Sequence, residues 1–184
     1  MTEIPRVNLI GETVTLRQLT VSDFSEQYLG WMNDPEINLY LETRWTEQTR
    51  STIEIFLKLM ARSNNSALYG IILDGTHVGN IKIGPVNWDH FYADVSYFIG
   101  DRNAWGQGLA TEAVELVTRF GFEQLGLNKC KAGVYSGNTG SCRVLEKVGY
   151  RKEGCLRNEL KGQDGWEDHL LYGYSRKDWL NDKS

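Results

Sequence analysis

The feature that most constrains the fold is a change of hydrophobic period near the middle of the chain. Residues 91–99 are rich in aromatic and β-branched side chains, as strands are. Apolar residues then recur at helical spacing and predict a helix over residues 107–123, before a second strand over 128–135. Two strands joined through a helix are usually parallel, with a right-handed connection. The sequence therefore predicts a parallel crossover unit at this point.

The segments before this unit predict a strand and then two helices. Alternation over residues 12–19 predicts the first strand. Thr20 and Asp23 have the spacing of a capping box, which predicts a helix from there to about Met32. Pro35 ends that helix because proline disfavours helical conformation in the residue before it.

A second helix and a β-rich block follow. We expect the helix to start at Thr46. Its expected apolar face consists of Ile53, Ile55, Phe56, Leu59 and Met60. Residues 67–73 and 77–83 are predicted strands, and the Asp74-Gly75 turn joins them into an antiparallel hairpin.

The last third of the chain adds further β-structure. A short helix is expected near residues 140–147 and stops at Gly149. Strands are expected around 150–156 and 167–174, ahead of a polar tail. The prediction is an α/β fold formed by a single domain over residues 1–184. It contains a mixed, mostly antiparallel sheet of about seven strands, with helices on both faces.

Composition excludes several functions. The formal net charge of −4 argues against binding of nucleic acid, which needs a basic face. No stretch reaches the roughly 18 consecutive apolar residues of a membrane helix, and no export signal is apparent. The three cysteines form no C-x-x-C pair, and the three histidines have no metal-ligand spacing. We therefore expect a cytoplasmic protein with no metal.

The glycine-rich turn over residues 100–113 is the strongest functional signal. Gly106 and Gly108 let the backbone curl where a strand ends and a helix begins. The N–H groups at such a helix start bind phosphate without net positive charge on the protein. A dinucleotide-binding turn would need glycine or alanine at Thr111, and a P-loop would need Gly-Lys-Ser/Thr. A plain tight turn, with glycines only for close packing, stays open from spacing alone.

Residues 103–108 (NAWGQG) resemble the acetyl-CoA loop of the GNAT superfamily of N-acetyltransferases, Gln/Arg-x-x-Gly-x-Gly/Ala, except that Asn103 stands in the first place. Residues 31–36, 106–113 and 138–150 resemble its ribosomal-protein N-acetyltransferase-like branch. The resemblance covers nearly the whole chain. It implies the GNAT fold and transfer of acetyl from acetyl-CoA to a primary amine by direct attack in a ternary complex. Because related enzymes often pair, it also implies a candidate homodimer.

The resemblance also implies how acetyl-CoA is held. The backbone around residues 98–100 would bind the pantetheine arm, and an amide there would polarise the thioester carbonyl. Asn138 would hold the amide arm or cap the short helix. The residues expected to bind acetyl-CoA are Phe98, Ile99, Gly100, Asn103, Ala104, Trp105, Gly106, Gln107, Gly108, Leu109, Ala110, Thr111, Asn138 and Ser141.

Two residues are candidates for the acid–base chemistry that thioester aminolysis needs. Asp94 occupies the place where relatives often carry a glutamate, and it is the expected base, alone or through water. A solvated strand carboxylate is the alternative, and Ser96 and Tyr97 are weaker candidates. Ser141 is expected to protonate the leaving thiolate, although serine is also an ordinary helix cap. An acyl intermediate on Cys142 is disfavoured because no histidine lies in these motifs.

The acceptor is the least constrained part of the prediction. The residues expected to bind it are Trp31, Asn33, Tyr40, Arg44 and Tyr135, with Glu42 and Trp45 nearby. Tryptophans and an arginine stack on sugars or nucleotides and bind phosphate or carboxylate, but they also serve as core or surface residues. Resemblance to enzymes that acetylate amino sugars favours a small amine such as a nucleotide-linked amino sugar. The alternatives are a protein N-terminus and a non-catalytic acyl-CoA-binding module.

Overall fold

The structure is a computed structural model that describes residues 3–183. Its centre is an eight-stranded sheet in the order β1-β2-β3-β4-β5-β6-β8-β7. The strands are β1 (Leu9–Ile10), β2 (Val14–Gln18), β3 (Ala67–Leu73), β4 (Thr76–Asn87), β5 (Tyr92–Ile99), β6 (Lys129–Tyr135), β7 (Arg151–Lys161) and β8 (Trp166–Ser175). Only the β5–β6 pair is parallel. The predicted mixed, mostly antiparallel sheet is confirmed, with the two-residue β1 as an eighth strand.

Five α-helices belong to the part of the chain that the structure describes. They are α1 (Glu26–Asn33), α2 (Arg50–Arg62), α3 (Leu109–Glu123), α4 (Thr139–Val148) and α5 (Arg176–Asp182). The predicted polar tail is therefore wrong, since it forms α5. Within residues 3–183, no helix has both the length and the apolar character needed to cross a bilayer.

The predicted first helix is divided into two parts. Thr20 and Asp23 do form a capping box, but it closes only a short 3-10 turn over Val21–Asp23. Phe24 is extended, and Ser25 caps α1 by accepting a hydrogen bond from the N–H of Tyr28. A local capping signal therefore identified a real turn but placed the start of the helix several residues too early.

The predicted apolar face of α2 is wrong in part. The helix starts after Thr49, not at Thr46, because Thr49 supplies the cap. Ile53 and Leu57 are buried one helical turn apart, and they fix the inward side. Ile55 and Leu59 lie on the opposite side, and both they and Phe56 are exposed.

Helices cover both faces of the sheet, as predicted. Tyr69 of β3 belongs to the large core cluster that also contains Val114 of α3 and Leu145 of α4. Leu68, the preceding residue, belongs to a second cluster with residues of α1 and α2. Because successive strand side chains point to opposite faces, α3 and α4 cover one face and α1 and α2 cover the other.

The sheet opens between its two parallel strands. β5 and β6 pair only from Tyr92 to Asp94 and from Lys129 to Lys131, although both strands continue beyond these residues. β6 instead stays paired with β8 along its whole length. The strands therefore diverge into a V-shaped gap between residues 95–99 of β5 and 132–135 of β6, called the notch below.

Candidate active site

The glycine-rich turn has the geometry of an anion site. Gly106 and Gly108 have φ of 75° and 82°, a left-handed conformation that glycine adopts without steric cost, and Gly108 is the N-cap of α3. A Cβ built on either glycine would meet nothing within 4 Å, so close packing does not explain them. The first N–H groups of α3 lack helical acceptors and sit at the positive end of the helix dipole. The turn therefore fits a diphosphate.

Arg102 ties this turn to the end of α1. Its Nη2 donates to both carboxylate oxygens of Asp34, at 2.7 and 2.6 Å, and its Nη1 lies 3.0 Å from the carboxylate of Glu36. The N–H of Glu36 and the guanidinium lower the pKa of Asp34, which keeps it charged. Asp34 and Glu36 of the run 31–36 therefore hold the glycine-rich turn in place, a role that the sequence did not reveal because 68 positions separate Asp34 from Arg102.

Two side chains of the turn, those of Trp105 and Gln107, donate hydrogen bonds to nearby backbone carbonyls. Nε1 of Trp105 donates to the carbonyl of Ile99 at 2.9 Å, and Nε2 of Gln107 donates to the carbonyl of Asn103 at 2.7 Å. Ala104 and Leu109 are buried. These contacts hold the shape of the loop.

The notch leaves one edge of β5 unpaired. Beyond Asp94, alternate N–H and C=O groups of β5 that point towards β6 have no strand partner. Gly100 is required by packing, because a Cβ there would collide with the ring of Trp31. The rings of Phe98 and Trp31 lie edge to face, 6.4 Å apart. The open edge therefore fits an extended chain with amide groups, such as pantetheine.

Two hydroxyl groups meet at the α4 side of the notch. Oη of Tyr97 lies 2.8 Å from Oγ of Ser141, and Oδ1 of Asn138 accepts from the N–H of Ser141 at 3.0 Å. Asn138 is thus the N-cap of α4, one of the two roles expected for it. Burial raises the pKa of Tyr97 well above its ordinary value, so the phenol stays protonated. Sequence reasoning ranked Tyr97 as a weak candidate base, whereas its hydroxyl contacts the expected acid.

Asp94 lies at the closed end of the notch. It is the last β5 residue paired with β6, and its Oδ1 is 3.5 Å from Nζ of Lys131. Its side chain points away from the α3–α4 face, because buried Ala93 and Val95 on either side belong to the core there. The role of Asp94 as a base remains a prediction.

Five residues expected in or near the acceptor site come together on the other side of the notch. The rings of Tyr40 and Tyr135 lie 5.6 Å apart, and Oη of Tyr135 donates to Glu42 at 2.6 Å. The guanidinium of Arg44 lies 4.9 Å from the centre of the Tyr135 ring and 4.4 Å from that of Trp45. A cavity of about 280 Å³ opens beside Tyr40, against residues 162–167. We call Tyr40, Glu42, Arg44, Trp45 and Tyr135 the acceptor cluster.

Two other expected acceptor residues have their side chains bound to other parts of the protein. Trp31 is only 6% exposed and packs against His77, with ring centres 5.2 Å apart. The side-chain amide of Asn33 makes two 2.8 Å hydrogen bonds with the backbone of Gln48. Neither side chain belongs to the acceptor cluster.

The structure also reveals a pair that the sequence analysis missed. Nδ1 of His169 in β8 lies 2.6 Å from Oε2 of Glu159 in β7. The sequence analysis weighed His169 only as a possible metal ligand. Within residues 3–183, no group of three or more histidine, cysteine or acidic residues has an arrangement that would hold a metal.

Comparisons with known proteins identify the class. Residues 13–151 match the family model of the acetyltransferase (GNAT) domain, so the chain belongs to that family. Uncharacterized N-acetyltransferase p20 of Bacillus licheniformis is 30% identical over 178 residues, which cover 93% of this chain and 97% of that protein. The putative ribosomal N-acetyltransferase YdaF of Bacillus subtilis (strain 168) is 24% identical over 95% of this chain and 97% of its own length.

The structural comparison agrees on the fold. The ribosomal L7/L12 alpha-N-protein acetyltransferase RimL, solved in complex with coenzyme A, superposes with a TM-score of 0.82 at 15% identity. The match covers 92% of this chain and 98% of RimL. The chain is therefore an acetyl-CoA-dependent N-acetyltransferase of the GNAT family, as the sequence predicted.

Proposed function

We propose that this enzyme acetylates the primary amine of a small acceptor that also carries an anionic group. A nucleotide-linked amino sugar is the class to test first. The observation that carries this proposal is the state of Arg44. Its Nε and Nη1 are buried and have no hydrogen-bond partner among the described residues.

Arg44 is well prepared to bind an anion. Its Nη2 donates to the backbone carbonyl of Lys161, and its guanidinium stacks on the rings of Trp45 and Tyr135. Leaving two buried donors unpaired costs free energy, which oxygens of a ligand would recover. A planar guanidinium suits phosphate and carboxylate because it donates two parallel hydrogen bonds. The flanking aromatic rings would stack on a sugar or a base.

On the other side of the notch, we assign the amides at Gly106 and Gly108 to the pyrophosphate of acetyl-CoA and residues 98–100 to its pantetheine arm. The acceptor amine then attacks the thioester carbonyl directly, so a C–N bond forms and the C–S bond breaks. Ser141 gives its hydroxyl proton to the leaving sulfur and takes one from Tyr97. One proton must leave the amine, and Asp94 is the base that the sequence nominates.

The acceptor can be tested by measuring CoA release with four amines. These are a nucleoside-diphosphate amino sugar, the same sugar without the nucleotide, a peptide N-terminus and a polyamine. We expect the first to be preferred, and Arg44→Gln to raise its KM about 10- to 100-fold with the KM for acetyl-CoA unchanged. Arg50→Gln is the matched control, since Arg50 is an exposed partner of Glu54 on α2.

Each other outcome has a distinct meaning. Preference for the peptide or the polyamine, with no effect of Arg44→Gln, would overturn the proposed acceptor and leave acetyl transfer intact. Binding of acetyl-CoA without CoA release for any amine would indicate the non-catalytic module instead.

A further inference from the structure

His169 and Glu159 form a pair with the geometry of a general base and its positioning carboxylate. The 2.6 Å contact joins Nδ1 to a carboxylate, which only accepts hydrogen bonds, so Nδ1 carries the proton. This leaves a lone pair on Nε2. A carboxylate behind a histidine fixes the tautomer and stabilises the imidazolium that forms on proton uptake. Within residues 3–183, Nε2 has no hydrogen-bond partner.

The free nitrogen lies at the notch. A Cβ built on Gly133 would collide with Nε2 of His169, so the ring rests directly on the backbone of that glycine. Gly133 is two residues beyond Lys131, the last β6 residue paired with β5. It is also on the same face of β6 as Tyr135 of the acceptor cluster. Nε2 therefore lies against the backbone of β6 where the notch opens, on the face of β6 that carries Tyr135 of the acceptor cluster.

A bulge in β7 places the carboxylate of Glu159 next to His169. Leu156 pairs with His169 and Leu160 pairs with Glu167, so three residues of β7 face only Asp168 on β8. Asn158, in the middle, has a positive φ of 52°. Bulges of this kind redirect side chains and are frequent beside active sites.

Asp168 holds this bulge in place. Its Oδ1 accepts a hydrogen bond from the N–H of Asn158 at 3.0 Å. This bond lowers the pKa of Asp168, so the carboxylate stays charged and the bulge stays fixed. The arrangement gives Glu159, the next residue, its position against His169.

Asp94 is less suited to the same task. Its carboxylate lies 3.5 Å from the ammonium of Lys131, at the end where β5 and β6 are still paired. The carboxylate is therefore already paired with a cation. A neutral imidazole takes up a proton near neutral pH more readily than a carboxylate does.

We propose that His169, positioned by Glu159, is the base that deprotonates the amine during acetyl transfer; this rests on the function proposed above. As the amine nitrogen bonds to the carbonyl carbon, its proton passes to Nε2 of His169. The sulfur departs with the electron pair of the C–S bond and takes the proton of Ser141. The imidazolium then loses its proton to solvent and the Tyr97–Ser141 pair takes one up from solvent, which restores the enzyme.

The first test compares His169→Gln, Glu159→Gln and Asp94→Asn in the full chain, with the best amine from the panel. For His169→Gln we expect kcat to fall about 100-fold or more, and the acidic limb of the pH profile of kcat/KM to disappear. For Glu159→Gln we expect about a 10-fold fall, and a limb moved to lower pH because the imidazolium loses its counter-charge. Asp94→Asn should keep the limb.

Other titratable groups on strands and segments near the ring are Lys131, Tyr135, Glu167 and Glu42.

A second test uses the contact with glycine. Gly133→Ala should displace the imidazole and lower kcat about 10-fold, with the effect of acetyl-CoA on the melting temperature unchanged. Gly154→Ala in β7 is the matched control, because its Cβ would meet the side chain of Leu171 at an ordinary 3.4 Å. Equal activity of the Gly133 variant and the control would contradict the proposal.

The outcomes separate this inference from the proposed acceptor. If the preferred amine is neutral or a peptide and His169→Gln still removes the acidic limb, the base is right and the acceptor is wrong. If Asp94→Asn removes the limb and His169→Gln keeps both the limb and kcat, the inference is overturned. If acetyl-CoA binds but no amine is acetylated, both proposals are wrong.

Discussion

The two sides of the notch differ in how far apart in the sequence their residues lie. The cofactor side uses short contiguous runs, the glycine turn that opens α3 and the cap that opens α4. The acceptor side joins the segment between α1 and α2 to β6, β7 and β8 through side chains that are distant in sequence. Contacts such as that of Tyr135 with Glu42 span 93 positions. A family can therefore keep one side while the other changes with the substrate.

The largest expected effect tests whether the cofactor side depends on its local turn. Gly108→Asp places a negative charge at the N-terminus of α3, where we assign the pyrophosphate. We expect the affinity for acetyl-CoA to fall about 100-fold or more, so that the ligand no longer raises the melting temperature. Gly75→Asp is the control, since Gly75 has a similar φ of 78° in the distant β3–β4 turn. A full thermal shift in the Gly108 variant would show that acetyl-CoA binds elsewhere.

The next effect concerns the hydroxyl pair at the cofactor side. Ser141→Ala should lower kcat about 100-fold, because the departing sulfur loses its proton donor. Adding Tyr97→Phe should cost little more, since the two groups act as a unit. Tyr150→Phe is the control, because it removes another buried hydroxyl pair, between Tyr150 and Thr118 at 2.8 Å, that does not include Ser141. Independent, multiplicative losses at Ser141 and Tyr97 would contradict a relay.

A smaller effect is expected on the acceptor side. Tyr135→Phe removes the hydrogen bond to Glu42 and leaves the ring stacked on Tyr40. We expect the KM for the acceptor to rise about 3- to 10-fold, with kcat and the KM for acetyl-CoA unchanged. Tyr174→Phe is the control, since Tyr174 donates to Asp182 at 2.8 Å in another part of the fold. A change in the KM for acetyl-CoA instead would erase the distinction between the two sides.

The smallest expected effect is on the pH dependence of stability, and it concerns His77. Burial lowers the pKa of His77, which packs on Trp31 and lies 2.7 Å from Oδ1 of Asn80. Below the ordinary pKa near 6.5, His77 therefore binds a proton more readily in the unfolded chain than in the folded one. The free energy of unfolding consequently decreases as the pH is lowered. Between pH 7 and 5.5 we expect this group to lower the melting temperature by about 2 °C or less. His77→Gln should reduce the slope, and an identical slope would contradict the assignment.

Features encoded by neighbouring residues could be predicted from the sequence. The crossover unit and the glycine turn follow from a change of period and from two glycines that take a positive φ. The apolar face of α2 could not be assigned reliably, because its exposed residues Ile55, Phe56 and Leu59 are as apolar as its buried ones. Burial there is decided by how the helix docks.

The same limit applies to the candidate site. Tyr97 and Ser141 are 44 positions apart and meet only once α4 packs on the sheet. The pairing of His169 with Glu159 depends on a bulge whose key residue, Asn158, has no distinctive sequence context. Arg44 could be named as a ligand-binding residue, but its unpaired donors become visible only in the folded chain.

The short pairing of β5 with β6 has one more consequence. A sheet normally has two outer edges, but the notch gives this one two internal edges as well. Unpaired strand edges are templates for strand addition by other chains. Protein prepared without acetyl-CoA should therefore be more prone to self-association, and a cofactor lying along β5 would act as a ninth strand that protects the fold from aggregation.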